Sequence, residues 1–129
     1  MSTLPLSKIM LVEDEADIRK IVEIALKNVG GFEVALCESG ALAVDIATTF
    51  NPDLILLDAM MPEMDGPATL KALRANDNTK NIPIMFITAI LAQQEREAFK
   101  AMGAIEVIAK PFDPMTLASQ VRTLWNQNL

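Results

Sequence analysis

Five side chains have the types needed to hold or move a charged group: Glu13, Asp14, Asp58, Thr88 and Lys110. Asp58 closes an apolar run, Leu54-Ile55-Leu56-Leu57, and is followed by Ala59-Met60-Met61-Pro62-Glu63-Met64-Asp65-Gly66. A short apolar run bounded by turn residues predicts a strand covered on both faces. A carboxylate at the C-terminal end of such a strand lies where open α/β sheets bind ligands, and a buried charge there is costly unless paired. Lys8 to Val12 predicts another strand, which ends in Glu13-Asp14. Clustered carboxylates repel and raise one another's pKa. A hard cation with oxygen ligands, such as Mg²⁺, relieves that repulsion. Two further predicted strands end in Thr88 and Ala109-Lys110-Pro111. A hydroxyl and a compact ammonium both suit a phosphoryl oxygen. Alone, Thr88 reads as a satisfied strand-end hydroxyl, Lys110 as a solvated cation and Glu15 as an acid at a helix N-terminus. Together with Asp14 and Asp58, Thr88 and Lys110 form a phosphoryl-transfer site. An aspartate can be its nucleophile, giving an acyl phosphate, while Mg²⁺ and Lys110 would neutralise charge on the transferred group.

The elements that must position these residues alternate along the chain. After the first strand, Glu15 to Val29 carries Ile18, Ile21, Val22, Ala25 and Val29 at the spacing of one buried helical face, stopped by Gly30-Gly31. Phe32 to Leu36 is the second strand, and Ser39 caps a helix through Phe50 that ends at Asn51-Pro52. Leu54 to Leu57 is the third strand, Gly66 to Ala75 a helix, and Asn76 to Asn81 a polar loop. Ile82 to Ile87 is the fourth strand, Leu91 to Met102 a helix with Gly103 as its C-cap, and Ile105 to Ile108 the fifth strand. Asp113-Pro114 reads as an N-cap with proline at the first helical position. The helix then runs to about Trp125, with Leu117, Val121 and Leu124 on one face. Strands alternating with helices predict right-handed crossovers and a doubly wound parallel sheet of five strands. One domain is expected over residues 1–129, with its core at about 7–126 and no effector domain after it.

Composition excludes several classes. Lys and Arg number 11 against 17 Asp and Glu, a net charge of -6, so direct nucleic-acid binding through clustered cations is not expected. No apolar stretch approaches membrane-spanning length, so no membrane insertion is expected. The N-terminal residues are too polar for a signal peptide, which predicts a cytoplasmic protein. With no histidine and a single cysteine, Cys37, there is no His-based acid/base chemistry and no intrachain disulfide. Cys37 reads as a small core residue. Met60, Met61 and Met64 read as adaptable packing residues rather than soft-metal ligands.

The motifs Met10-Leu11-Val12-Glu13-Asp14-Glu15, Asp58 to Gly66, Ile87-Thr88-Ala89 and Lys110-Pro111-Phe112 fall in this order on the predicted strand ends. In this arrangement the chain resembles a response-regulator receiver domain of two-component signalling, of the stand-alone chemotaxis-regulator type, from Lys8 to Trp125. The resemblance implies a flavodoxin-like (βα)5 fold with strand order 2-1-3-4-5. It implies Asp58 as phosphoacceptor and Mg²⁺ held by Asp14, by Glu13 through water, by Asp58 and by the Met60 backbone carbonyl. It further implies Thr88 as the switch hydroxyl, Lys110 as the cationic partner of the phosphoryl group, and a cis Lys110-Pro111 bond. Pro62 and Gly66 would shape the loop after Asp58. Implied partners are a sensor histidine kinase or phosphotransfer protein, and a downstream protein bound at the face of the fourth helix, fifth strand and fifth helix. Self-association into a homodimer is a contact mode the resemblance leaves open. Gln94, Arg96, Glu97, Lys100, Glu106, Arg122 and Trp125 are the candidates on that face. Trp125 reads equally as a partner anchor or as packing for the last helix.

The sequence also departs from the family pattern. Val107 stands where the family often has an aromatic residue that rotates on phosphorylation, so that signal must pass through packing or loop shifts. Met60 and Ile90 occupy positions that tune water attack on the phosphoryl group, and apolar side chains there predict a long-lived adduct. An Asp-nucleophile phosphatase would need an acid two residues after Asp58, where Met60 stands. A flavin carrier would need a hydroxyl- and glycine-rich phosphate loop in place of Glu13-Asp14-Glu15. The protein is therefore not expected to be an enzyme beyond accepting and slowly losing its own phosphoryl group. The alternative function is a receiver-fold binding module that acts without phosphorylation.

Overall fold

A computed structural model describes residues 5–89 and 92–128. Five parallel strands form one sheet: β1 (Lys8–Val12), β2 (Glu33–Cys37), β3 (Leu54–Asp58), β4 (Ile84–Thr88) and β5 (Glu106–Ala109), in the order β2-β1-β3-β4-β5. The helices are α1 (Ala16–Glu23), α2 (Gly40–Phe50), α3 (Gly66–Arg74), α4 (Gln93–Ala101) and α5 (Leu117–Gln127). This is the doubly wound arrangement that the alternating pattern predicts. Every residue of β3 and β4 is buried, as expected for central strands of a sheet covered on both faces.

The sheet's two faces carry separate cores. Met10, Ile55, Leu57, Phe86, Leu73 and Phe99 pack on one side with α2, α3 and α4, and Phe86 and Phe99 meet at 4.6 Å between ring centroids. Ile9, Leu11, Leu54, Leu56, Ile108, Leu117 and Val121 fill the other side with α1 and α5. Cys37 is buried in the first core, and burial raises its thiol pKa, in keeping with a packing role.

The local differences from the sequence pattern have physical causes. The first helix continues from α1 directly into a π-helical segment (Ile24–Val29). Gly30 N donates to Ala25 O, five residues back. The wider turn changes the phase of the buried stripe. Leu26 is buried, whereas Val29 is exposed at 46%; Ile21 lies before the π-helical segment, in α1, and is exposed at 41% independently of it. Ser39 has the extended backbone of an N-cap to α2 but makes no side-chain capping bond. Asp65 does cap α3, accepting from Ala68 N at 2.9 Å, with Pro67 in the first turn. Asp113 caps the turn that leads into the helix instead of the helix itself. Its carboxylate accepts from Met115 N, its carbonyl from Leu117 N, and α5 starts at Leu117. Leu91, expected to open the fourth helix, lies outside the described residues. No helix among the described residues is long and apolar enough to cross a membrane.

Candidate functional site

The sheet register brings the chemically capable residues to one edge. Val12 pairs with Leu57, so the next residue, Glu13, is level with Asp58. Thr88 pairs with Ala109, so Lys110 follows directly. Single backbone bonds carry the ladders past the strand ends: Glu13 N to Cys37 O at 2.9 Å, Ala59 N to Ile87 O at 3.2 Å, and Lys110 N to Thr88 O at 2.9 Å. Asp58 and Thr88 thus stand on strands, and Glu13 and Lys110 are tied directly to strand ends.

Glu13, Asp14 and Asp58 each offer a carboxylate oxygen, and these oxygens lie within 4.8 Å of one another. Glu13 and Asp58 are buried, at 1% and 4% exposure, and Thr88 is buried beside them. Lys110 Nζ reaches Glu13 Oε1 at 2.8 Å and Asp58 Oδ1 at 3.5 Å. Met60 N donates to Asp58 Oδ1 at 3.1 Å, and Glu15 N to Glu13 Oε2 at 3.2 Å. Burial pushes the Glu13 carboxyl up to about 7; the Lys110 hydrogen bond opposes this and Asp58 adds to it. Burial works against the Lys110 ammonium, but Glu13 and Asp58 outweigh it and hold its pKa above the ordinary lysine value. The Lys110-Pro111 bond is cis.

The carboxylate set fits a hard divalent cation. Its donors are all oxygens, and Asp14 Oδ1 is buried with no hydrogen-bond partner. A buried acceptor in that state needs a donor or a cation.

The expected site residues Glu13, Asp14, Asp58, Thr88 and Lys110 therefore converge, and Met60 contributes its amide to the same cluster. Gly66 is part of the same construction. Its amide donates to Ala59 O, and a Cβ there would lie 2.6 Å from both Ala59 Cα and Asp58 O. Only glycine lets α3 begin so close to the Asp58 backbone. Arg19 was not among the expected site residues. Its Nη1 donates to both Glu13 O and Asp14 O at 2.9 Å. The signal for it was an arginine about one turn into the first helix, within reach of the strand end.

The model described as "Response regulator receiver domain" matches residues 9–122. The chain belongs to this family. The receiver domain is 31% identical to the chemotaxis response regulator CheY4 of Vibrio cholerae, with a TM-score of 0.83 over 92% of this chain and 98% of that one. It is 36% identical over 117 residues to the probable transcriptional regulator ycf27 of Cyanophora paradoxa, covering 91% of this chain and 47% of that protein. It is also 36% identical over 117 residues to the transcriptional regulatory protein PrrA of Mycobacterium tuberculosis, covering 91% and 49%. The chain spans about half the length of the curated relatives it matches. Its family places it in two-component signalling.

The expected output face is partly rearranged. Lys100 pairs with Glu106 at 3.2 Å, Asn128 Nδ2 donates to Glu106 Oε2 at 3.2 Å, and Gln94 and Glu97 are exposed. Arg96 Nη2 donates to Val107 O at 3.4 Å, on the same side. Arg122 departs from this group: it donates to Gly30 O at 2.6 Å and stacks 4.1 Å from the Phe32 ring centroid, against the end of the π-helical segment. Trp125 packs half-buried on the α1/α5 core, which favours its packing reading.

Proposed function

We infer that Asp58 accepts a phosphoryl group from a sensor histidine kinase or phosphotransfer protein, and that the aspartyl phosphate switches this domain between two states. The carrying observation is the convergence of Glu13, Asp14 and Asp58 with Lys110 on one sheet edge. An Asp58 oxygen attacks phosphorus, the bond from phosphorus to the donor nitrogen breaks, and the donor keeps that electron pair. Met60 N holds Asp58 Oδ1 during the approach. Lys110, shared between Glu13 and Asp58 beforehand, moves its ammonium toward the new phosphoryl oxygens. Thr88, adjacent on β4, donates its hydroxyl to one of them. Asp14 and Asp58 would hold Mg²⁺ directly, with the Met60 carbonyl as a further ligand and Glu13 acting through water. When bound, Mg²⁺ neutralises charge on the phosphoryl oxygens.

The added charge then biases a two-state equilibrium. Val107 is buried and aliphatic, so the shift passes through packing and the loop after Thr88 rather than through a rotating aromatic. It is read by a protein partner at the α4, β5 and α5 face. The chain's own chemistry ends with slow hydrolysis of the adduct, and it is otherwise not an enzyme. The test is intact mass after incubation with acetyl phosphate and Mg²⁺, with Asp58→Asn and metal-free controls. A single phosphoryl adduct that requires both Asp58 and Mg²⁺ is expected. A folded, Mg²⁺-binding protein with no adduct overturns the reading and leaves a phosphorylation-independent binding module.

A further inference from the structure

The three clustered carboxylates are not anchored alike. Glu13 receives Lys110 Nζ and Glu15 N, and Asp58 receives Met60 N and Lys110. Among the described contacts, no donor reaches the Asp14 carboxylate, and its Oδ1 is buried without a partner. Something else must aim it, because a short side chain with no anchor follows its backbone.

That backbone is tied down by Arg19. The chain leaves β1 at Val12 and enters α1 at Ala16, so Glu13 and Asp14 lie in the turn between them. From inside α1, Arg19 returns one nitrogen to both turn carbonyls, at 2.9 Å each. Arg19 is only partly exposed, and it makes no salt bridge with a carboxylate among the described residues. It therefore acts on the main chain and not as a direct counter-ion. Fixing two consecutive carbonyls restricts the dihedrals on both sides of the Asp14 Cα and so the direction of its Cβ. An oxygen already accepting from a guanidinium is also a poor cation ligand, which leaves the carboxylates as the available donors of this turn.

We propose that Arg19 is a positioning residue for the divalent cation: by clamping the Glu13 and Asp14 carbonyls, it presents the otherwise unanchored Asp14 carboxylate to the metal. This rests on the proposed Mg²⁺ role of Asp14 but not on phosphorylation of Asp58. The test is Mg²⁺ affinity from backbone amide shifts in the wild type, Arg19→Ala, Arg19→Lys, Asp14→Asn and the Arg19→Ala/Asp14→Asn double variant. Arg19→Gln replaces Arg19→Ala should the latter not fold. Arg19→Ala is expected to weaken Mg²⁺ binding about tenfold. Arg19→Lys recovers only part of this, since an ammonium keeps the charge but not the planar fork. In the Asp14→Asn background, removing Arg19 should cost less than twofold more, because its route to the metal is already gone. Unchanged affinity in Arg19→Ala overturns the proposal. So does a loss that adds in full to Asp14→Asn, which would mark a merely structural residue. Absence of adduct in the wild type would overturn the phosphoacceptor reading while leaving the Mg²⁺ comparison able to decide this one.

Discussion

Lys110 lies closer to Glu13 than to Asp58, 2.8 Å against 3.5 Å, although Glu13 is 97 residues away in sequence. Before phosphorylation its main partner is thus a buried carboxylate next to the reactive one. Glu13 is almost fully buried, while the lysine side chain keeps 18% exposure. Removing the cation strands the less solvated partner, which is the costly direction for a buried pair. Lys110→Ala should destabilise the metal-free protein by about 1–3 kcal/mol at pH 7.5. Added Mg²⁺ should restore part of the loss, because it supplies charge to the same carboxylates. Urea unfolding with and without Mg²⁺ checks this, and an effect indifferent to Mg²⁺ would show that Lys110 acts through packing alone.

Glu13 adds a pH dependence to the stability of the metal-free protein. Its folded pKa is raised from 4.5 to about 7, chiefly by burial. Between those values the folded state binds more protons at this site than the unfolded state does. The stability this group contributes is therefore complete below about 4.5 and lost as pH rises through about 7. The loss is at most about 3 kcal/mol. The informative quantity is the difference from Glu13→Gln, which should show a flatter stability curve from pH 5 to 7.5 in the presence of chelator. Parallel curves for the two proteins would refute the assignment.

Gly66→Ala opposes two effects of different size. Alanine favours a helix by about 1 kcal/mol over glycine. Its Cβ would meet the Ala59 Cα and Asp58 carbonyl at 2.6 Å and the Phe86 ring at 2.7 Å. Two of these atoms are backbone, so relief requires moving the Asp58 strand end or the start of α3. The substitution should cost about 2 kcal/mol or more and should shift the amide signals of Asp58 and Ala59. A neutral or stabilising result in chemical denaturation would show that the loop yields freely.

The strands and the convergence of the site were legible because both depend on short-range patterns. Leu54–Asp58 and Ile84–Thr88 are apolar runs, and in a parallel sheet their C-terminal ends share an edge, so Asp14, Asp58, Thr88 and Lys110 could be grouped before any distance was known. The inner face of the first helix was not legible, since a uniform helical period cannot anticipate the π-helical turn that buries Leu26 and exposes Val29. The direction of Arg122 was hidden for a different reason. Its partners, Gly30 O and Phe32, belong to a distant segment, and nothing in the α5 pattern selects that side over the α4 side. The Arg19 clamp rests on backbone acceptors, so only the arginine's own place about one turn into the first helix points to it.

The lifetime of the aspartyl phosphate turns on Met60. Its side chain is 63% exposed and follows Asp58 by two residues, while its amide is bound to Asp58 Oδ1. The exposed thioether is only a weak acceptor and cannot take a proton from an attacking water. Hydrolysis must then proceed without a general base from this position, which predicts slow loss of the phosphoryl group. Met60→Glu places a carboxylate at the same exposed point, able to orient a water and accept its proton. Its extra negative charge also repels the phosphoryl group, so Met60→Gln serves as the neutral comparison. Both variants should shorten the lifetime several-fold, measured as decay of the intact-mass adduct after the donor is removed with Mg²⁺ kept constant. Fast decay in the wild type, or no change in either variant, would mean that water reaches phosphorus along a path Met60 does not govern.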